Sequence, residues 1–118
     1  MHWSQLKVWQ HAHGLVLEMY RYTSEFPRGE QFGVAEQLRR AAYSVTANIV
    51  EGQSRNTTKE YMQFLYNARG SVEEARYFLM LSKDLGYLKE QVFAELESRY
   101  EHVSRLLNGL IKSLKGRK

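Results

Sequence analysis

Gln37, Arg40, Ser44, Asn48 and Glu51 recur at steps of three and four, the spacing that lines side chains along one face of a helix. Downstream, Asn67, Ser71 and Glu74 repeat the pattern, with Gly70 beside them. Serine and asparagine compete with a helical backbone for its hydrogen bonds, so two such stripes call for a partner. Antiparallel helices oppose residues whose numbers sum to a near-constant value. One register sets Ser44 against Ser71, Asn48 against Asn67 and Glu51 against Phe64, with Arg40 against Glu74 one step off. Hydroxyl then meets hydroxyl, amide meets amide, and guanidinium meets carboxylate. The expectation is a polar seam in which Arg40 and Glu74 form a partly buried ion pair and Asn48 fixes register. Gly70 and Ser71 would let the two backbones close up. The seam serves either as a structural network or as the lining of a ligand or nucleic-acid surface. Ser44 and Ser71 have no identifiable histidine base, so no catalytic residue is expected.

A second constellation is basic. Arg69, Arg76 and Lys83 recur every seven residues, and the same register sets Arg39 beside Arg76. Tyr66 and Tyr77 flank the stripe, and cations interleaved with aromatics suit phosphate contact and base stacking, although Glu73 dilutes the field. A solvated bundle face, or the rim of a subunit interface, is the other reading. Beyond Glu101 the chain carries no acid, only Arg105, Lys112, Lys115, Arg117 and Lys118. Lys112 and Lys115 therefore join the nucleic-acid candidates, while a helix C-terminus gives a separate reason for cations there. His11 and His13 lie two apart, about 200° around a helix, and cannot chelate one ion together. His2 and His102 have no carboxylate at ligand spacing, so no metal site is expected, and with no glycine-rich phosphate loop no cofactor is either. Asn56-Thr57-Thr58 reads as a turn and cap rather than a glycosylation site.

Four helical segments would position these residues. The first, about Leu6 to Ser24, carries Val8, Trp9, Ala12, Leu15, Val16, Met19 and Tyr20 on one face and stops at Pro27 and Gly29. The second runs from about Phe32 to Glu51 with Val34, Leu38, Ala41, Val45 and Ile49 in phase, and Gly52 reads as its stop. Thr57 with Glu60 has capping-box spacing and opens the third, which runs to about Leu85 with Leu65, Ala68, Val72, Ala75 and Leu79 inward. The fourth, from Lys89 to about Leu114, has a heptad seam of Phe93, Leu96, Tyr100, Val103, Leu107, Leu110 and Leu114. Short connections make sequential helices antiparallel, so the expected fold is all-α, an up-down-up-down four-helix bundle.

The chain has 118 residues, one domain's worth, read here as a single domain over residues 1–118. It has 43% hydrophobic and 25% charged residues, which excludes wholesale disorder. Zero cysteines exclude disulfides, thiolate catalysis and cysteine-ligated metal. No apolar run approaches the roughly 20 residues that cross a bilayer, and no signal-like stretch opens the chain, so a cytoplasmic protein is expected. The formal net charge of +4 suits an acidic partner such as RNA. Trp3, Trp9, Tyr20, Tyr22 and Tyr43 exceed what a core of this size needs and point to burial between subunits.

Phe26-Pro27-x-x-Glu30, Gln37-Leu38-Arg39-Arg40-Ala41 and Ser44-x-x-x-Asn48-Ile49-x-Glu51-Gly52 closely resemble the signature of the bacterial 23S rRNA intervening-sequence protein family, also called the four-helix-bundle protein family. Phe64-Leu65-x-x-Ala68-x-Gly70-Ser71-x-x-Glu74 and Leu85-Gly86-Tyr87-Leu88 continue the match, and Leu6-x-Val8-Trp9-Gln10 looks like its opening. The resemblance implies four antiparallel helices, a homopentameric ring with a central channel, an RNA-associated role and no catalytic residues to carry over. The chain also resembles accessory proteins of diversity-generating retroelements, which share that ring and engage nucleic acid and a reverse transcriptase. The expected function is thus a non-enzymatic oligomer that binds structured RNA such as 23S rRNA through basic side chains. The alternative is a protein-interaction scaffold, such as a reverse-transcriptase accessory subunit.

Overall fold

The structure, a computed structural model, describes residues 1–116. Arg117 and Lys118, the last two cations of the acid-free end, lie outside the described residues. Four helices account for the fold: α1 (Lys7–Thr23), α2 (Val34–Gln53), α3 (Thr58–Asp84) and α4 (Glu90–Lys115). Single 3-10 turns at Trp3–Gln5 and Arg28–Glu30 precede α1 and α2. Each helix buries the apolar face its periodicity marks. Leu15, Met19, Leu38, Val45, Ile49, Leu65, Val72, Leu79, Leu96, Val103 and Leu107 are fully buried in one cluster. On α4, Ile111 turns fully inward, while Phe93 and Leu110 are half-buried at the edge.

The helices form a ring in section. α2 packs between α1 and α3, and α4 between α3 and α1, and across either diagonal no two Cα atoms of the described residues come within 8 Å. This up-down-up-down bundle is 48 Å long and 23 by 20 Å across. It follows that α1, α2, α3 and α4 bound four separate surface grooves, and that a side chain reaching from α2 to α1 lies on the opposite flank from one reaching from α3 to α4.

The helix ends show local chemistry. Thr57 caps α3, its Oγ1 accepting from the Glu60 N–H at 3.1 Å. Gly86, at φ +86°, ends α3 in a Schellman turn, with Gly86 N–H on the Lys83 carbonyl and Tyr87 N–H on that of Ser82, both 2.9 Å. Two glycine roles differ from expectation. Gly52 does not stop α2, which continues to Gln53; it is buried, and a Cβ there would lie 2.9 Å from Phe64 Cβ and from Tyr61 Cδ1. Gly70, expected at a close approach, is exposed with nothing within 4 Å. Gly52 thus marks a tight approach of α2 and α3 at their shared end, and Gly70 plays no part in their packing.

The far end is closed by a clasp between the two other connections. Phe26 and Tyr87 bring their rings to 5.4 Å, and the Tyr87 hydroxyl donates to Glu30 Oε2 at 2.9 Å. That bond, with some desolvation, raises the Tyr87 pKa. Two sequence blocks separated by α2 and α3 therefore meet as one structural unit.

Candidate nucleic-acid interface

The seam between α2 and α3 has the expected register. Ser44 Oγ and Ser71 Oγ lie 2.8 Å apart, and Asn48 Nδ2 donates to the Ser44 carbonyl at 2.8 Å and to Ser44 Oγ at 3.2 Å. All three residues are half-buried. The outer pairs do not form. Arg40 turns back along its own helix to Gln37 Oε1 at 3.0 Å, and Glu74 has no ion pair among the described residues. Both are exposed, where an ion pair gains little over water. Asn67 is likewise exposed and does not meet Asn48, whose amide is already engaged. Glu51 pairs with Arg55 at 2.7 Å rather than across the seam, and the Arg55 guanidinium lies 4.5 Å from the centre of the Phe64 ring. The seam is a three-residue hydrogen-bond network with solvated ends.

The basic stripe is largely engaged within the bundle. Arg76 Nε donates to Glu97 Oε1 on α4 at 2.6 Å, and its Nη1 to Glu73 at 3.1 Å. The Glu97 hydrogen bond, outweighing desolvation, raises the Arg76 pKa. Arg69 Nη1 donates to Asn108 Oδ1 at 3.0 Å, with its guanidinium over the Tyr66 ring. Lys83 Nζ lies 3.7 Å from Asp84 and 4.4 Å from the centre of the Phe93 ring. Arg39 does not join this group. Its Nε donates to buried Thr23 Oγ1 at 2.7 Å and its Nη2 to Gln31 Oε1 at 2.9 Å, so it ties α2 to α1 and to the connection between them. Arg39 and Arg76 therefore sit on opposite flanks of the ring of helices. The pairing register cannot distinguish flanks, because it fixes height along the axis and not direction around it.

What the fold does bring together is charge by height. The half of the bundle holding the α2–α3 connection (residues 1–15, 44–71 and 103–116) carries Lys7, Arg55, Lys59, Arg69, Arg105, Lys112 and Lys115 against only Glu51 and Glu60. The other half carries eight basic and eleven acidic side chains, a net negative charge, so the molecule is polarised along its length. Lys7, Lys59, Lys112 and Lys115 make no ion pair among the described residues. Lys59 and Lys115 line a groove of about 500 Å³ between the start of α3 and the end of α4, together with Met62, Tyr66 and Leu114. Lys112 and Lys115 were legible as candidates; Lys7 and Lys59 were not, because their proximity to that end appears only once the helices are folded antiparallel.

The α1–α2 flank is apolar instead. Trp3, Trp9, Tyr43, Thr46, Ala47, Val50 and Glu51 line a groove of about 400 Å³, and Tyr20 and Tyr43 are 48% and 44% exposed. The Trp3 and Trp9 rings meet tilted at 58°, with 4.8 Å between ring centres, and Tyr22 is half-buried farther along. Among the described residues no helix is long and apolar enough to cross a membrane, and no group of three histidine or carboxylate side chains is placed to hold a metal ion.

Comparison with known proteins gives three results. The model of the 23S rRNA-intervening sequence protein family matches residues 4–109. Among solved structures, a protein of unknown function from the S23 ribosomal protein family of Bacteroides thetaiotaomicron superposes with a TM-score of 0.83 over 89% of this chain and 95% of that one. At 19% identity, that likeness speaks for the fold alone. No curated protein matches.

Proposed function

The chain belongs to the 23S rRNA-intervening sequence protein family, and from that premise we propose that it binds nucleic acid, structured RNA such as 23S rRNA, without catalysing a reaction. The observation that carries this reading is the segregation of charge: four lysines with no ion pair among the described residues gather at one end of a bundle whose other end is net negative. A polyanion is drawn to that end and repelled from the other, so the contact has a direction. Lysine offers a mobile point charge to phosphate rather than a fixed fork to a base edge, so the contacts are to the backbone and binding falls steeply with salt. Mobility shifts with 23S rRNA fragments at two ionic strengths test this. Retardation at low salt that disappears at high salt is expected, and no retardation at low salt overturns the reading. A partner protein that is recovered from cell extract after nuclease treatment, with no RNA bound by the pure protein, would move the function to a protein scaffold.

Self-association belongs to the same proposal. The aromatic groove on the α1–α2 flank lies away from the α3–α4 groove lined by Lys59 and Lys115, so copies could pack there and leave those lysines open. A ring of five copies is the expected assembly. Light scattering on the eluting protein should report a multimer, and Tyr43→Glu should reduce its mass; a monomer at micromolar concentration contradicts it.

A further inference from the structure

The α1–α4 flank holds a cluster that lies outside the seam and contains none of the basic-end lysines. His11, Ser98, Arg99, His102 and Arg105 line a pocket of about 340 Å³. No carboxylate lines it. The His11 and His102 rings meet edge to face with centres 4.8 Å apart, each brought there from a different helix. Arg99 lies over Gly14, where a Cβ would come within 3.3 Å of its Nη2, and its Nη1 donates to Glu18 at 3.3 Å. Arg105 pairs with Glu101 one turn back at 2.9 Å, and both are exposed.

The hydrogen-bond inventory of this pocket is one-sided. His11, His102 and Ser98 make no side-chain hydrogen bond among the described residues, while each has an N–H or O–H to give. Two guanidiniums stand beside them. Glu18 and Glu101 offset part of the charge of Arg99 and Arg105, but unengaged donors with no acceptor among the lining residues describe the surroundings of an oxyanion. A divalent cation bound between the imidazoles would face the two guanidiniums at close range, and no third ligand is in place. Gly14 leaves room for this placement, since a Cβ there would make the Arg99 guanidinium give by a few tenths of an ångström.

We propose that this pocket is a phosphate-binding site, in which His11, Ser98, Arg99, His102 and Arg105 donate to the oxygens of one phosphate group. None of the basic-end lysines lines the pocket, and its occupancy does not depend on the nucleic-acid reading. The same chemistry serves a free phosphomonoester or the diester of a nucleic-acid strand.

The four histidines of the chain make the test internally controlled, because His2 and His13 do not line the pocket. Imidazole proton resonances would be followed during titration with sodium phosphate, a nucleoside monophosphate, or a dinucleoside monophosphate that carries only a diester, each against chloride at equal ionic strength. Saturable shifts confined to His11 and His102 are expected, and the arm that saturates first identifies the monoester or the diester as ligand. Arg105→Gln, at an exposed position, should fold normally and weaken binding by roughly tenfold through the loss of a charged donor. Equal shifts at all four histidines, or unchanged affinity in Arg105→Gln, overturn the site. So does saturation of His11 and His102 by zinc at concentrations where phosphate has no effect. If phosphate binds here and RNA is not retarded, only the nucleic-acid function fails; if RNA is retarded and phosphate leaves His11 and His102 unmoved, only this site fails.

Discussion

An arginine is free to meet a phosphate only when its donors are not already committed. Arg39 commits Nε to Thr23 and Nη2 to Gln31, and its guanidinium stands 5.4 Å from the centre of the Tyr20 ring. Thr23 is fully buried, so its hydroxyl loses a charged partner if that arginine is removed. Arg39→Gln should therefore cost about 1.5–3 kcal/mol of stability in urea unfolding, the range for a hydrogen bond to a charged group, and leave the RNA affinity of the folded protein unchanged. A drop in affinity with stability intact would return Arg39 to the binding surface. Residue type and helical phase were readable for Arg39, Arg69 and Arg76. Their partners were not, because Thr23, Asn108 and Glu97 come from other segments whose rotation about the axis no pairing register specifies. Ser44 and Ser71 were readable because they point at each other across a single interface.

At the scale of helices, the apolar periodicity was enough to place all four elements within a residue or two, since burying one stripe per helix admits few arrangements. Glycines were the weak point. A glycine in a helix costs roughly 1 kcal/mol relative to alanine and so advertises a reason, but the sequence does not say which. Gly52 faces Tyr61 and Phe64 at the tight crossing of α2 and α3, while Gly70 faces open space. The same substitution should therefore act in opposite directions. Gly70→Ala should stabilise by about 0.5–1 kcal/mol, and Gly52→Ala should destabilise by about 1–3 kcal/mol through overpacking against ring and backbone atoms. Denaturant midpoints measure both, and equal shifts in the two variants would mean that the crossing is not where the structure puts it.

For the whole molecule, the governing property is the separation of charge along a 48 Å axis. Read linearly, the excess sits in the last quarter of the chain; folded, the start of α1 and the start of α3 add Lys7 and Lys59 to the same end. The ion pairs of α3 and α4 neutralise the middle, as Arg76 with Glu97 shows. Only antiparallel packing creates this polarity, which is why it was half visible in the sequence. The direct measurement is the salt dependence of RNA affinity in two charge-matched pairs of substitutions at opposite ends, Lys112→Gln with Lys115→Gln, and Arg28→Gln with Lys89→Gln. Arg28 and Lys89 are also exposed and make no ion pair among the described residues, and net charge changes equally in both proteins. The account predicts that the first pair lowers the slope of log affinity against log salt by about one per lysine and the second leaves it unchanged. Equal loss from both pairs would show that RNA senses only total charge, and the basic end would no longer be its binding surface.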